Sequence, residues 1–168
     1  MTPDALEILA EVAVGIAGFG TIAIVLGSNR RGWEAADYYR SSALLATSLG
    51  ALFLALLPIG LAALPLSIED AWRAGSASMA LATLLVMVYL RRLRSRHLDP
   101  ELYLGPLLIG VVAVSAVANA VAQGVNASGL LWAASGGVYY FGVIWFLMFA
   151  CLFFVRIVFY RPLGEREE

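Results

Sequence analysis

The sequence predicts an all-α integral membrane bundle of five transmembrane helices, with the N-terminus outside and the C-terminus cytoplasmic. Three observations lead there. The chain is 61% hydrophobic and 14% charged, with a mean hydropathy of +0.85, whereas a soluble domain is about 45–50% apolar and about 25% charged. A chain of 168 residues encloses too little interior to keep that much apolar surface from water. Its apolar residues also fall into five runs near the ~20 residues that cross a hydrocarbon core, and the connections between them alternate between rich and poor in Arg.

The first run is 6–26. It follows an acidic start, Asp4 and Glu7, with no basic n-region, so it reads as a retained span rather than a secretory signal. Thr2 is placed to cap it, and Pro3 suits the first helical position. The second run, 41–64, contains Pro58, which removes a backbone donor and predicts a kink. Ser67-Ile68-Glu69-Asp70 carries a capping-box pattern before the third run, 74–90. Asp99-Pro100-Glu101 repeats the cap-then-proline logic before the fourth, 102–122. The fifth run is 138–159. Between the last two, residues 124–137 read either as an interfacial loop or as an early start of helix five near Ser128, broken at Ser135-Gly136-Gly137. The runs are continuous rather than alternating, which excludes barrel strands, and unpaired backbone groups are not tolerated in lipid. The whole chain, 1–168, reads as one transmembrane domain.

Orientation follows from Arg. Arg30, Arg31 and Arg40 follow the first run, Arg91, Arg92, Arg94 and Arg96 the third, and Arg156, Arg161 and Arg166 the fifth. Only Arg73 follows the second run, and no charge follows the fourth. The positive-inside rule puts the Arg-rich turns in the cytoplasm, in a multi-pass protein of the inner or plasma membrane. All eleven basic residues are Arg, which reads as the codon bias of a GC-rich, bacterial genome. Trp33, Trp72 and Trp132 fit interfacial belts, whereas Trp145 falls mid-span.

Small residues allow membrane helices to approach closely. Ala13, Ala17 and Thr21 on the first span, Ala74, Ser78 and Ala82 on the third, and Ala116 and Ala120 on the fourth predict that these three helices form the tight centre. The Phe-rich fifth helix then lies outside. Cys151 reads as a buried packing thiol.

Glu11 is the leading candidate residue. A carboxylate within a span is costly and suggests function, although Glu11 lies only about 8 Å from the start of its run at 1.5 Å per residue. It reads either as a shallow headgroup residue or as part of a pocket. Ser115, Asn119, Gln123 and Asn126 share one helix face. They read either as interhelical hydrogen bonds or, with Glu11, as an outward-facing polar pocket. Trp33, Asp37 and Arg40 mark an interfacial anchor or a cytoplasmic docking surface. Arg91, Arg92, Arg94 and Arg96 sit where anionic lipid headgroups attract cations, at about 1 kcal/mol per residue. His97 is the sole histidine.

No catalytic set, cofactor-binding motif or metal-ligand pattern is found, and a net charge of -1 gives no footing for nucleic acid. The expected partners are the bilayer and a second copy or another membrane protein. The favoured class is a non-enzymatic scaffold or accessory subunit. The alternative is a small oligomeric transporter or channel protomer using Glu11 and the polar face of span four.

Gly18-Phe19-Gly20, Arg30-Arg31, Trp33, Asp37, Arg40, Leu49 and Leu56-Leu57-Pro58, with Gly142, Trp145 and Phe154-Val155-Arg156 near the end, resemble an uncharacterised family of small bacterial multi-spanning membrane proteins. Glu34-Ala35-Ala36-Asp37 stands where that family has a Ser-Pro-Ala-Asp turn. The resemblance implies topology and no activity.

Overall fold

A computed structural model describes residues 3–28, 35–97, 106–130 and 134–159. It holds five helices: α1 (Pro3–Ser28), α2 (Ala35–Ala62), α3 (Ile68–His97), α4 (Pro106–Ser128) and α5 (Gly136–Phe159). All five are long and apolar enough to cross a membrane. Even the shortest, α4 at 23 residues, extends about 35 Å at 1.5 Å per residue, enough for a core about 30 Å thick.

Two buried clusters stack along the bundle. One joins Leu6 and Ala10 at the start of α1, Leu54 and Ala55 late in α2, Met79 early in α3, and Tyr139 and Val143 early in α5. The other joins Tyr39 and Ala43 early in α2, Leu90 and Leu93 late in α3, and Phe149 and Phe153 late in α5. These memberships make α1, α2 and α3 successively antiparallel, with α5 running parallel to α1 and α3. They also separate charge. One end of the bundle, the acidic end, carries Asp4, Glu7, Glu11, Glu69, Asp70 and Arg73. The other, the arginine end, carries Arg40, Arg91, Arg92, Arg94 and Arg156 with Asp37.

The expected centre of α1, α3 and α4 is not formed. Instead α5 touches all four other helices, while α1 makes no contact with α3 or α4 among the described residues. Glycines explain why the aromatic helix is inside. A Cβ on Gly50 of α2 would lie 3.0 Å from the Phe146 ring, and one on Gly75 of α3 would lie 3.1 Å from Tyr139. Each glycine is therefore a socket for an aromatic knob, and Phe146 and Tyr139 are fully buried. Bulky residues on α5 fill what small residues on α2 and α3 leave open, which is the close packing protein interiors require. Gly20 on α1 seats Leu44 of α2 in the same way, whereas Gly15 and Gly18 face open space. Ala74 and Ser78 lie exposed on α3, and its buried face is Ala71, Gly75, Ser76, Met79 and Thr83 instead. Cys151, expected inside, is exposed on α5. That helix is apolar all round, so its composition does not mark the buried face.

Several boundaries extend past the apolar runs. Arg91, Arg92 and Arg94 lie on the last turns of α3 rather than in a loop. Leu90 and Leu93 are buried there, three residues apart, and cations at a helix C-terminus are favoured by its dipole. Helix α4 continues past residue 122 to Ser128. Gly129, at φ 66°, closes it by donating its N–H to the Val125 carbonyl at 3.2 Å, the left-handed cap that glycine adopts without strain. Helix α5 starts at Gly136, so the span 124–137 is divided between α4, a short connection and α5. Ser67 caps α3 as expected. Its hydroxyl accepts the Asp70 N–H at 3.1 Å and donates to the Asp70 carboxylate at 2.7 Å. Thr2 and Asp99-Pro100-Glu101 lie outside the described residues.

Pro58 stays within α2. A proline has no N–H, so the carbonyl four residues earlier loses its helical donor. That carbonyl belongs to Leu54. The Tyr139 hydroxyl of α5 donates to it at 2.5 Å, in a buried setting. The defect in one helix is thus repaired by a side chain of the central helix.

Candidate functional site

The polar face of α4 is directed into the α3–α4–α5 seam. Asn126 and Gln123 are fully buried. The Asn126 amide donates to Ser76 Oγ on α3 at 2.7 Å and to the Ser135 carbonyl at 3.1 Å, and its oxygen accepts the Ser135 N–H at 3.0 Å. Asn126 therefore clamps the segment that enters α5, supplying a partner for the Ser135 N–H, which precedes the helix, and a further donor for the Ser135 carbonyl. Gln123 donates to the Val138 carbonyl at 2.7 Å, where a Cβ on Gly142 would come within 2.6 Å of its nitrogen. Asn119 donates to Thr83 of α3 at 3.0 Å, and Thr83 donates to its own helix at the Met79 carbonyl at 2.9 Å. Ser115 donates within α4, to the Val112 carbonyl at 3.0 Å. The Gln123 oxygen is buried without a hydrogen-bond partner among the described residues.

Glu11 is exposed on α1. Since α1 and α4 do not touch among the described residues, the bundle does not bring Glu11 to Ser115, Asn119, Gln123 and Asn126 within one chain. The four α4 residues share a face, as their spacing requires, but they meet α3 and α5 instead.

At the arginine end, Arg40 lies 3.6 Å from Asp37 across one helical turn, with the Arg side chain mostly covered and the Asp half-exposed. Trp33 and the Arg96 side chain lie outside the described residues. Arg91 and Arg92 are exposed and Arg94 is half-buried. At the acidic end Arg73 pairs with Glu69 at 2.6 Å and lies over Gly129, where a Cβ would fall 2.8 Å from its guanidinium. Trp72 packs on Gly136 and on the rings of Tyr139 and Tyr140, at 5.7 and 6.3 Å between centroids. Trp145 packs edge-on against Phe146 and at a tilt against Phe149, with ring centroids 5.2 and 4.5 Å apart. Among the described residues no group of His, Cys, Asp and Glu is placed to hold a metal ion.

Residues that the sequence reading did not place in the site complete this arrangement: Ser76, Thr83, Ser135 and Tyr139. Tyr139 had a detectable signal, because a proline inside a span implies an orphaned carbonyl four residues back and hence a donor elsewhere. Ser76 and Thr83 had only the weaker signal of lone hydroxyls within an apolar run. No family model, curated protein or solved structure matches the chain.

Proposed function

We propose that the protein is a multi-pass membrane protein of a bacterial inner or plasma membrane, with its N-terminus outside and its C-terminus cytoplasmic. In this reading it acts as a non-enzymatic scaffold or accessory subunit. One observation carries the reading. The Asn119, Gln123 and Asn126 amides in the bundle's interior are engaged in holding helices together, and the charged side chains among the described residues lie toward its two ends. Asn119, Gln123 and Asn126 tie α4 to α3 and α5, while Glu11 is exposed on α1. Such a bundle presents its chemistry through its ends. The arginine end meets cytoplasm and anionic headgroups through Arg91, Arg92, Arg94 and Arg96, and Asp37 with Arg40 forms the docking surface for a protein partner.

A transport route using both Glu11 and the α4 amides requires a second copy, because one chain keeps them on helices that do not touch. Two experiments separate these readings. Co-purification of a defined partner that is lost in Asp37→Ala and Arg40→Ala variants supports the scaffold. Ion or proton flux into vesicles reconstituted with the wild-type chain, abolished by Glu11→Gln, would replace it with the transporter.

A further inference from the structure

Helix α4 is the least covered of the five spans and touches only α3 and α5 among the described residues. Its outward face carries Val111, Val114, Ala118, Val121 and Ala122, all exposed and none longer than valine. Asn119 stands at the margin of that face. Gln123 and Asn126 are fully buried, but Asn119 is half-buried, and its amide is only partly used. Thr83 Oγ1 gives its single proton to the Met79 carbonyl at 2.9 Å. Toward Asn119 it therefore acts as an acceptor, and the amide nitrogen faces it at 3.0 Å. The second N–H and the oxygen of the Asn119 amide are left without a partner among the described residues. The Gln123 oxygen also lacks a partner, but Gln123 is enclosed, whereas Asn119 is within reach of a second molecule.

On α3, Thr83 lies eleven residues beyond Trp72 and eight before Arg91, about 16 and 12 Å along the helix. Tryptophan and arginine are residues of the membrane interfaces, so the Asn119–Thr83 pair falls near the middle of the hydrocarbon. Water is absent there, and lipid tails offer neither donor nor acceptor. The unused groups are one donor and one acceptor of a single planar amide, a set complementary to itself. A second copy in the same membrane carries the same amide at the same depth. A two-fold axis along the membrane normal sets the two amides face to face, each donating one N–H and accepting one. The Val and Ala side chains beside them lose little rotamer freedom on packing and let two helices approach closely.

We propose that the protein forms a homodimer through α4, joined at its centre by reciprocal hydrogen bonds between the two Asn119 amides. Each amide keeps its bond to Thr83 of its own chain, and Ala118 and Ala122 of one copy lie against those of the other. The other open faces suit a second copy less well. Pairing through the outer face of α1 would set Glu7 and Glu11, both exposed, against their equals. The exposed strip of α5, Phe141, Ile144 and Met148, carries no polar group to fix a register. The dimer rests on the reading of the chain as a membrane protein. It goes beyond the scaffold reading by naming a second copy as a partner and the face that meets it.

The test uses the full chain in phosphatidylcholine bilayers over a range of protein-to-lipid ratios, with single-molecule subunit counting to give the dissociation constant. The wild type should pass from single chains to pairs, and no further, as it is concentrated. Asn119→Leu should weaken pairing about tenfold, the loss of two interhelical hydrogen bonds of ordinary strength in a membrane. That variant also loses the bond to Thr83, so two others separate the effects. Thr83→Val breaks the same bond within the chain but keeps the amide, and should pair as the wild type does. Ala122→Phe places bulk on the outward face alone, and should weaken pairing at least as much as Asn119→Leu. In a Cys151→Ser background, Ala122→Cys should form a disulfide between copies, whereas Gly18→Cys on α1 and Ile144→Cys on α5 should not. Helicity in the same bilayers checks that each variant folds. Single chains at every ratio would overturn the dimer while leaving the membrane reading intact. Pairing unchanged by Asn119→Leu, or disulfides through Gly18→Cys or Ile144→Cys in place of Ala122→Cys, would overturn this face. A chain that stays single alone and pairs only with a different membrane protein would overturn the second copy as occupant.

Discussion

Replacing Tyr139 with Phe removes one oxygen atom and leaves the aromatic knob in its Gly75 socket. The carbonyl of Leu54 then has neither its helical donor, which Pro58 lacks, nor the tyrosine hydroxyl that serves it at 2.5 Å. An unsatisfied buried acceptor costs about 1–3 kcal/mol. Interhelical hydrogen bonds in membranes average nearer 0.6 kcal/mol because the unfolded state finds other partners. The Leu54 carbonyl should lie toward the upper figure. It sits within a helix whose geometry withholds the alternative, in a setting buried on both sides. We therefore expect Tyr139→Phe to cost about 2 kcal/mol, read as a shifted midpoint for unfolding in mixed micelles. Pro58→Ala returns an N–H to position 58 and gives Leu54 a helical donor. In that background Tyr139→Phe should cost less than half as much. The double-mutant cycle isolates the coupling, expected at about 1 kcal/mol between groups in one network. If Tyr139→Phe costs the same in both backgrounds, the hydroxyl does not compensate for the proline.

Glycine substitutions should divide by what a methyl would meet. Gly142→Ala displaces the buried Gln123 amide and Met79 and should cost about 1–3 kcal/mol by overpacking; Gly18→Ala, facing open space, should be neutral or stabilise by up to about 1 kcal/mol through helix propensity. The same unfolding assay measures both. Asn126→Leu strands the Ser135 N–H and should destabilise by about 1–3 kcal/mol, with increased hydrogen exchange at the start of α5. Glu11→Gln, at an exposed position, should change stability by less than about 0.5 kcal/mol.

The existence, order and number of the helices were legible because hydrophobic run length has a single physical reading once it approaches the thickness of a bilayer. The Ser67 cap was legible for a similar reason: its partners are three residues away. The arrangement of the helices was not. Small residues mark close approach, but Gly20 and Gly18 look alike in sequence, and only the position of Leu44 tells them apart. Nor does an aromatic-rich helix declare whether its rings meet lipid or sockets. Phe146 is fully buried and Phe141 is exposed, five residues apart on one apolar helix. The shared face of Asn119, Gln123 and Asn126 was readable from helical spacing. Its partners were not, because Thr83 and Ser76 lie on a helix whose rotation the pattern left open. Glu11 was readable as a candidate, but its neighbours depend on which helices α1 touches.

The location of the two chain ends tests the whole reading most directly. Reporters active on only one side of a membrane, fused separately at Met1 and after Glu168, should place the N-terminus outside and the C-terminus in the cytoplasm, as five crossings with the Arg-rich turns inward require. Both ends on the same side would contradict it.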